Sequence, residues 1–421
     1  MKGEQHYHSL DGLRGIAALS VVLLHYVTAF LPFLIGYAAI DRYPKLDHVV
    51  ATSPLQLPIA GNFAVCIFFV LSGFVLSIKF FKTKDRQVVV SSAARRIFRL
   101  MIPAVGSIFL AYFVLRIGAM HNGPAGAATG NNWLQLFWSY PAHFGQALFQ
   151  GLYGIWFGNT DFIASYNVPL WTMHYELLGS FLVFGLLALF GTERNRWLFY
   201  GLFGLILIKT YFLAFIAGLA ICDLSLTQPV LLQKLRPRFF WLALPLCAVL
   251  GTWTTTVDTP YPSVYNHLHV PFFTNGELET FAHVVGAILV MLAVLRLPGL
   301  AKFLAKRPFQ YLGKISFALY LTHFIVLGSL SSYLFTWLLP VAGYAATLLI
   351  VFLVGLSVSF GLAHYYTRWV DTPSVGLSKQ AGDYLLRGAI MSDIKQFIRR
   401  VTGRLQPALV AEISEPAPSA D

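Results

Sequence analysis

LDGLRGIAALSVVLLHYVTAF, residues 10 to 30, sets an arginine and a histidine into an otherwise apolar run. The run extends from about Leu13 to Ile35, and about 20 apolar residues suffice to cross the hydrocarbon core of a bilayer. It is too long for a signal-peptide core and is not followed by a small-residue cleavage site, so it reads as an uncleaved first span. Arg14 and His25 are eleven positions apart. At 100° per residue that is three turns plus roughly 20°, so on a straight helix both side chains share one face, about 16 Å apart along the axis. Arg14 falls at the membrane edge, where an arginine can snorkel and needs no function. His25 falls deep in the span. An ionisable side chain there turns to the bundle interior, either as a working group or as a neutral histidine bonded to a neighbouring helix.

The rest of the chain agrees with a membrane protein: 57% of its residues are hydrophobic, 11% are charged and mean hydropathy is +0.66. Soluble domains carry about a quarter charged residues. The fold class expected is an all-α polytopic membrane protein with ten spans, at about 13–35, 59–78, 100–116, 171–190, 197–208, 210–222, 239–256, 281–297, 315–336 and 341–364. The pair around Lys209 could be one long helix or a hairpin of two short ones. Charge placement favours the hairpin. With both termini cytoplasmic, 26 of the 30 lysines and arginines fall inside, leaving only Arg42, Lys45, Arg116 and Lys209 outside. A single helix at Lys209 would invert every later loop and break the positive-inside rule. The net charge of +12 therefore reports topology rather than nucleic-acid binding. The three cysteines, Cys66, Cys222 and Cys247, show neither a disulfide framework nor metal-ligand spacing, and no metal is expected.

One membrane domain over residues 1–375 is expected, without tandem repeats. Outer segments at 36–58 and 117–168 are long. The second has no lysine or arginine, and its LQLFWSY and ALFQGLYGIWFG stretches suit the membrane edge. Residues 376–405 form a cytoplasmic tail whose 382–405 portion has apolar residues at helical spacing with basic ones between them, the pattern of an amphipathic helix on an anionic leaflet. Residues 406–421, with three prolines, are expected to be disordered.

Glu176, in PLWTMHYELLGSFLVF, is the acidic residue of the eighteen that falls well within a predicted span. An unpaired carboxylate there is costly, so it is protonated, paired with a cation or open to water. Its natural partner is His25 or an arginine from the cytoplasmic side. A histidine oriented by a carboxylate suits general-base catalysis on a hydroxyl, and a structural ion pair is the alternative. Arg96 and Arg99, one turn apart beside Arg95, could bind phosphates bidentately, although topology alone also draws arginines to such a loop. Ser72 and Gly73 in mid-span suit close helix packing or a site. Ser316, Tyr320 and His323 lie on one stripe that could line a polar cavity. Trp133, Trp138, Tyr140, Tyr153, Trp156, Tyr261 and Tyr265 in the outer segments suit either sugar stacking or an interfacial belt.

In order and wording, LDGLRGIAALSVVLLH, FFVLSGFVLS, RRIFRLMIP, PLWTMHYELLGSF, LGKISFALYLTHFIVL and VDTP resemble the acyltransferase-3 family of membrane O-acyltransferases, over about residues 9 to 375. The family's arginine–histidine motif falls on Arg14 and His25, its paired arginines on Arg96 and Arg99, and its fourth-span glutamate on Glu176. Here WTMHYE replaces the more usual WSLSVE, which puts His174 where a small residue is common; Trp171 and His174 are both candidate cavity-lining or substrate-binding residues. The resemblance implies a cytoplasmic acyl-CoA donor, acetyl-CoA in the common case, as co-substrate, with no bound cofactor. It further implies a glycan or glycolipid acceptor such as lipopolysaccharide or exopolysaccharide, and a place in the inner (cytoplasmic) membrane. In that picture Arg14, Arg96 and Arg99 hold the donor's phosphates, and His25 activates the acceptor hydroxyl with Glu176 and Arg14 in support. Some relatives carry a fused periplasmic domain; without one, the chain acts alone or with a periplasmic partner.

Two other classes compete. A proton-coupled transporter could use His25 and Glu176 as a relay, but inverted repeats and matched broken helices are not evident. A silent sensor or scaffold would tolerate loss of Arg14, His25 and Glu176, which their energetic cost opposes.

Overall fold

The computed structural model describes residues 2–35, 49–51, 53–158, 162–254, 265 and 270–388, with side chains from His8 onward. Among the described residues the chain is all-helical. Its main helices are α1 (Lys2–Phe30), α2 (Gly61–Thr83), α3 (Arg86–Arg116), α4 (Trp171–Phe190), α5 (Arg196–Ile206), α6 (Phe212–Thr227), α7 (Pro237–Gly251), α8 (Asn275–Arg296), α9 (Arg307–Val326), α10 (Ser332–Tyr366) and α11 (Thr372–Leu386). Six helical stretches are long and apolar enough to cross a membrane, the last of them running from Arg307 to Leu386. Three shorter apolar helices, α5, α6 and α7, accompany them.

Two turns decide how the chain passes through this bundle. The Lys209 region is two helices, α5 and α6, joined by a turn rather than one rod. Within α10, Gly343 adopts φ +71°, ψ 171°, a conformation that favours glycine. The chain reverses there, because Gly355 meets the Ser331 hydroxyl from the equivalent distance on the other side of Gly343. The long Arg307–Leu386 stretch is therefore a helical hairpin followed by α11.

Small residues set the closest approaches. A Cβ added at Gly73 of α2 would stand 2.1 Å from the Phe215 carbonyl oxygen of α6, and one at Gly218 would stand 2.1 Å from the Val70 carbonyl oxygen. The two backbones touch, and Phe69 and Phe215 stack beside them at 4.9 Å. Without a hydrophobic drive between helices in lipid, such contact supplies much of the packing energy. Gly73→Leu is expected to lower stability by about 3 kcal/mol, since the atom it meets is backbone and cannot rotate away. A fall in the thermal midpoint of purified protein checks this; an unchanged midpoint would show that the α2–α6 contact is not close.

α1 and α9 meet in the same way. A Cβ at Gly313 would stand 2.2 Å from the Asp11 carbonyl oxygen and one at Gly15 2.5 Å from the Gly313 nitrogen. Arg14 reaches the Gly313 carbonyl at 3.2 Å, and His25 further along reaches His323. The shared face expected for Arg14 and His25 is thus the face against α9.

The segment between α3 and α4 folds over the C-terminal end of α1. Asn131 donates through Nδ2 to the Thr28 and Ala29 carbonyls. Trp138, Trp156 and Tyr265 are buried, so they serve packing rather than an open surface. Tyr153 is exposed, Trp133 and Tyr140 are half-buried, and Tyr261 lies outside the described residues. The boundary expected at 375/376 falls inside α11, which packs along α3 and sets Gly382 against Arg95. Of the amphipathic stretch expected at 382–405, only its start is described; 389–421, including the tail expected to be disordered, lies outside.

Candidate active site

A cavity of about 250 Å³ opens between α1, α2, α3, α4 and α9. At one end it is lined by Arg14, Arg96, Arg99, Lys314 and Asp371, in its middle by Ser72, Glu176 and Ser316, and otherwise by apolar groups including Phe68, Phe69, Met173 and Phe317. Thr172 and Tyr320 also line it, and their hydroxyls bond at 2.7 Å while Tyr320 donates to the Pro169 carbonyl.

Glu176 is paired with an arginine, not with His25. Its Oε1 accepts from the Ser72 hydroxyl at 2.6 Å and from Arg96 Nη2. Arg96 also donates through Nε to Ser180 Oγ at 2.8 Å, which orients the guanidinium plane. The side chains of Arg96 and Glu176 are only 15% and 12% exposed, so the pair is held in a poorly solvated place. Arg99 donates to Asp371 Oδ1 at 2.6 Å and Ser374 Oγ at 2.9 Å, and lies 5.7 Å from the centre of the Phe317 ring. Arg14 bonds Asp11 at 2.9 Å, but at 42% and 45% exposure this pair contributes little. Each of the three arginines thus has its own carboxylate.

His25, half-buried, points its Nδ1 at His323 Nε2, 2.8 Å away, with the rings nearly parallel at 5.0 Å. His323 is fully buried, and its Nδ1 bonds the Leu319 carbonyl at 2.8 Å. Trp133 lies nearly parallel to His25 with ring centres 6.2 Å apart, and Phe324 meets it edge-on at 5.0 Å.

Seven of the residues expected from sequence therefore line one cavity: Arg14, Ser72, Arg96, Arg99, Glu176, Ser316 and Tyr320. The other four candidates, His25, Trp171, His174 and His323, do not. Trp171 packs on Tyr175 and Tyr211, and His174 turns its Nδ1 to the Trp156 carbonyl at 2.7 Å. His323 sits one turn beyond Tyr320, its ring 6.3 Å away, and faces His25 instead of the cavity. On α4 the helical period explains it: Trp171 and His174, three apart, share one face, which lies roughly 140° to 160° round the helix from Glu176. Sequence reasoning passed over Asp371 and Lys314. The VDTP motif was the available signal for Asp371; Lys314 carried none beyond its charge. It also missed a second deep carboxylate. Asp223 lies fully buried in α6, where Arg196 bonds it at 2.5 and 3.0 Å in a fork that ties α5 to α6.

The chain matches the family described as "Acyltransferase domain" over residues 7–364. It is 26% identical to the O-acetyltransferase PaAT-1 of Phomopsis amygdali over 90% of this chain and 85% of that protein. It is 25% identical to the acyltransferase clz18 of Cochliobolus lunatus over 84% of this chain and 88% of that protein. No solved structure matches. A match that spans the helices carrying the arginine-rimmed cavity and the histidine pair places this chain in the acyltransferase-3 family, and it is an acyltransferase of the membrane type.

Proposed function

We propose that the protein moves an acyl group, acetyl in the common case, from cytoplasmic acyl-CoA to a sugar hydroxyl of a cell-surface or exported glycan. In this reading it has ten spans with both termini cytoplasmic, in the inner membrane, and His25 is the general base. The observation that carries it is the cavity with four cations at one end and bonded hydroxyls at the other, beside a histidine pair.

Its size suits the donor in part. Drug-sized ligands occupy roughly 300 to 1,000 Å³, so about 250 Å³ admits a linear pantetheine arm and leaves the nucleotide outside, against the arginines. Arg99 and Arg14, the more exposed of the three, can exchange a carboxylate for a phosphate, whereas Arg96 stays with Glu176. The roughly 16 Å from Arg14 to His25 along α1 matches an extended arm. To approach His25 the thioester must pass Tyr320, so the Thr172–Tyr320 bond opens on donor entry. The acceptor hydroxyl then gives its proton to His25, its oxygen attacks the thioester carbonyl, the carbon–sulfur bond breaks and the thiolate takes the proton back. The name of the PaAT-1 relative supports transfer to oxygen; the sugar rests on the family resemblance, with half-buried Trp133 beside His25 as a stacking face.

Purified protein in lipid nanodiscs, given radiolabelled acetyl-CoA with and without sugar acceptors, should transfer label to sugar hydroxyls. Glycan mass spectrometry of a deletion strain should show loss of an acetyl-sized mass. An unchanged glycan profile with label passing to a different hydroxyl compound would remove the glycan and keep the transferase; no transfer at all would remove both.

A further inference from the structure

We infer that His323 is a positioning residue that fixes His25 in the Nδ1–H tautomer, leaving Nε2 as the basic atom. This rests on His25 being the base in the proposed transfer.

Hydrogen-bond polarity gives the assignment. The Leu319 carbonyl can only accept, so His323 Nδ1, 2.8 Å away, carries a proton. A neutral His323 then has a lone pair on Nε2. His25 Nδ1, 2.8 Å from that lone pair, must be the donor. Only Nε2 of His25 is left to take a proton from a substrate.

The other distribution needs His323 as an imidazolium. His323 is fully buried, and its bonded neighbours are a carbonyl and an imidazole, neither of which carries a negative charge. Glu176 is committed to Arg96 and Ser72. The nearby Tyr320 hydroxyl gives its proton to Pro169. A cation in that place would be left uncompensated, at a cost of several kcal/mol. The relay is therefore His25 Nδ1–H to His323 Nε2, and His323 Nδ1–H to Leu319.

The arrangement does for His25 what a carboxylate does in a serine hydrolase, with a neutral acceptor in its place. When His25 takes the hydroxyl proton, positive charge appears on the half-buried ring rather than the sealed one. There the Nδ1–H bond persists, and the Trp133 ring offers its face. Control of tautomer is worth up to about 10⁴-fold in serine proteases; a neutral orienter is expected to give about 10²-fold.

The test has two arms. In nitrogen-15 spectra of histidine-labelled protein, with His25 assigned through His25→Gln, wild type should show a protonated Nδ1 and a lone-pair Nε2 at His25. The reverse pattern overturns the assignment. In the transfer assay, His323→Leu should lower kcat about 100-fold with KM for acetyl-CoA within about twofold, while His323→Gln, whose amide oxygen can accept from Nδ1–H, should recover most of the loss. Equal defects in both variants at equal acetyl-CoA affinity, or full kcat in His323→Leu, would mean that His323 only packs. If wild type transfers nothing yet shows the expected tautomer, the proposed function fails and the assignment stands.

Discussion

His25→Ala is expected to lower acyl transfer by about 10³-fold or more while leaving the protein in the membrane at normal abundance and acetyl-CoA affinity within about twofold. The size follows from what a positioned base supplies, roughly 10² to 10⁴ in rate. A free hydroxyl is a poor nucleophile, and among the described residues no other ring or carboxylate is placed to replace His25. Its neighbour His323 is sealed against Leu319, and Glu176 is held by Arg96 and Ser72. Donor affinity should be spared because His25 is not among the residues that line the cavity. Single-turnover transfer and acetyl-CoA binding, measured on the same preparation, separate the two effects. Retention of more than a tenth of the wild-type rate would take the base role away from His25.

The second large effect is on stability. Glu176→Leu is expected to cost about 3 to 5 kcal/mol, because it leaves Arg96 charged, 15% exposed and without its counter-ion. The loss is aggravated by location, since Arg99, Arg14 and Lys314 line the same cavity. Arg96→Met should cost a similar amount by stranding the carboxylate. The double variant should recover much of the stability, as buried pairs replaced by apolar groups commonly do. Transfer should not recover with it, because the mouth has lost a cation and the cavity its polar wall. A double-mutant cycle on thermal midpoints, run beside the transfer assay, gives both readouts; strictly additive losses would show that the two residues do not act as a pair.

Much of the fold was legible because membrane insertion writes itself into composition. Runs of about 20 apolar residues and a charge bias between loops respond to the bilayer alone and need no tertiary partner. The Lys209 hairpin was legible for the same reason. Gly73 was legible as a packing residue, though its partner, the Phe215 carbonyl, was not.

The site divided along the same line. Residue by residue, the polar groups in apolar spans could be picked out by their cost, and seven of them line one cavity. Which polar group satisfies which could not. Glu176 had two candidate partners on sequence grounds, and the α3–α4 contact, not the residue types, selected Arg96. His323 was expected in the cavity with Tyr320, but one further turn of α9 directs it to His25.

From sequence alone, then, came the membrane class, the helical architecture, the shared face of Arg14 and His25 and the list of groups too costly to be idle. These are set by local period and by transfer into lipid, both of which act on one helix at a time. The tertiary structure alone decided the pairings Arg96–Glu176, Arg99–Asp371 and His25–His323, and with them which histidine nitrogen is left free. Pairing depends on how helices distant in the chain cross and rotate, and hydrogen-bond polarity has meaning only once both partners are in place.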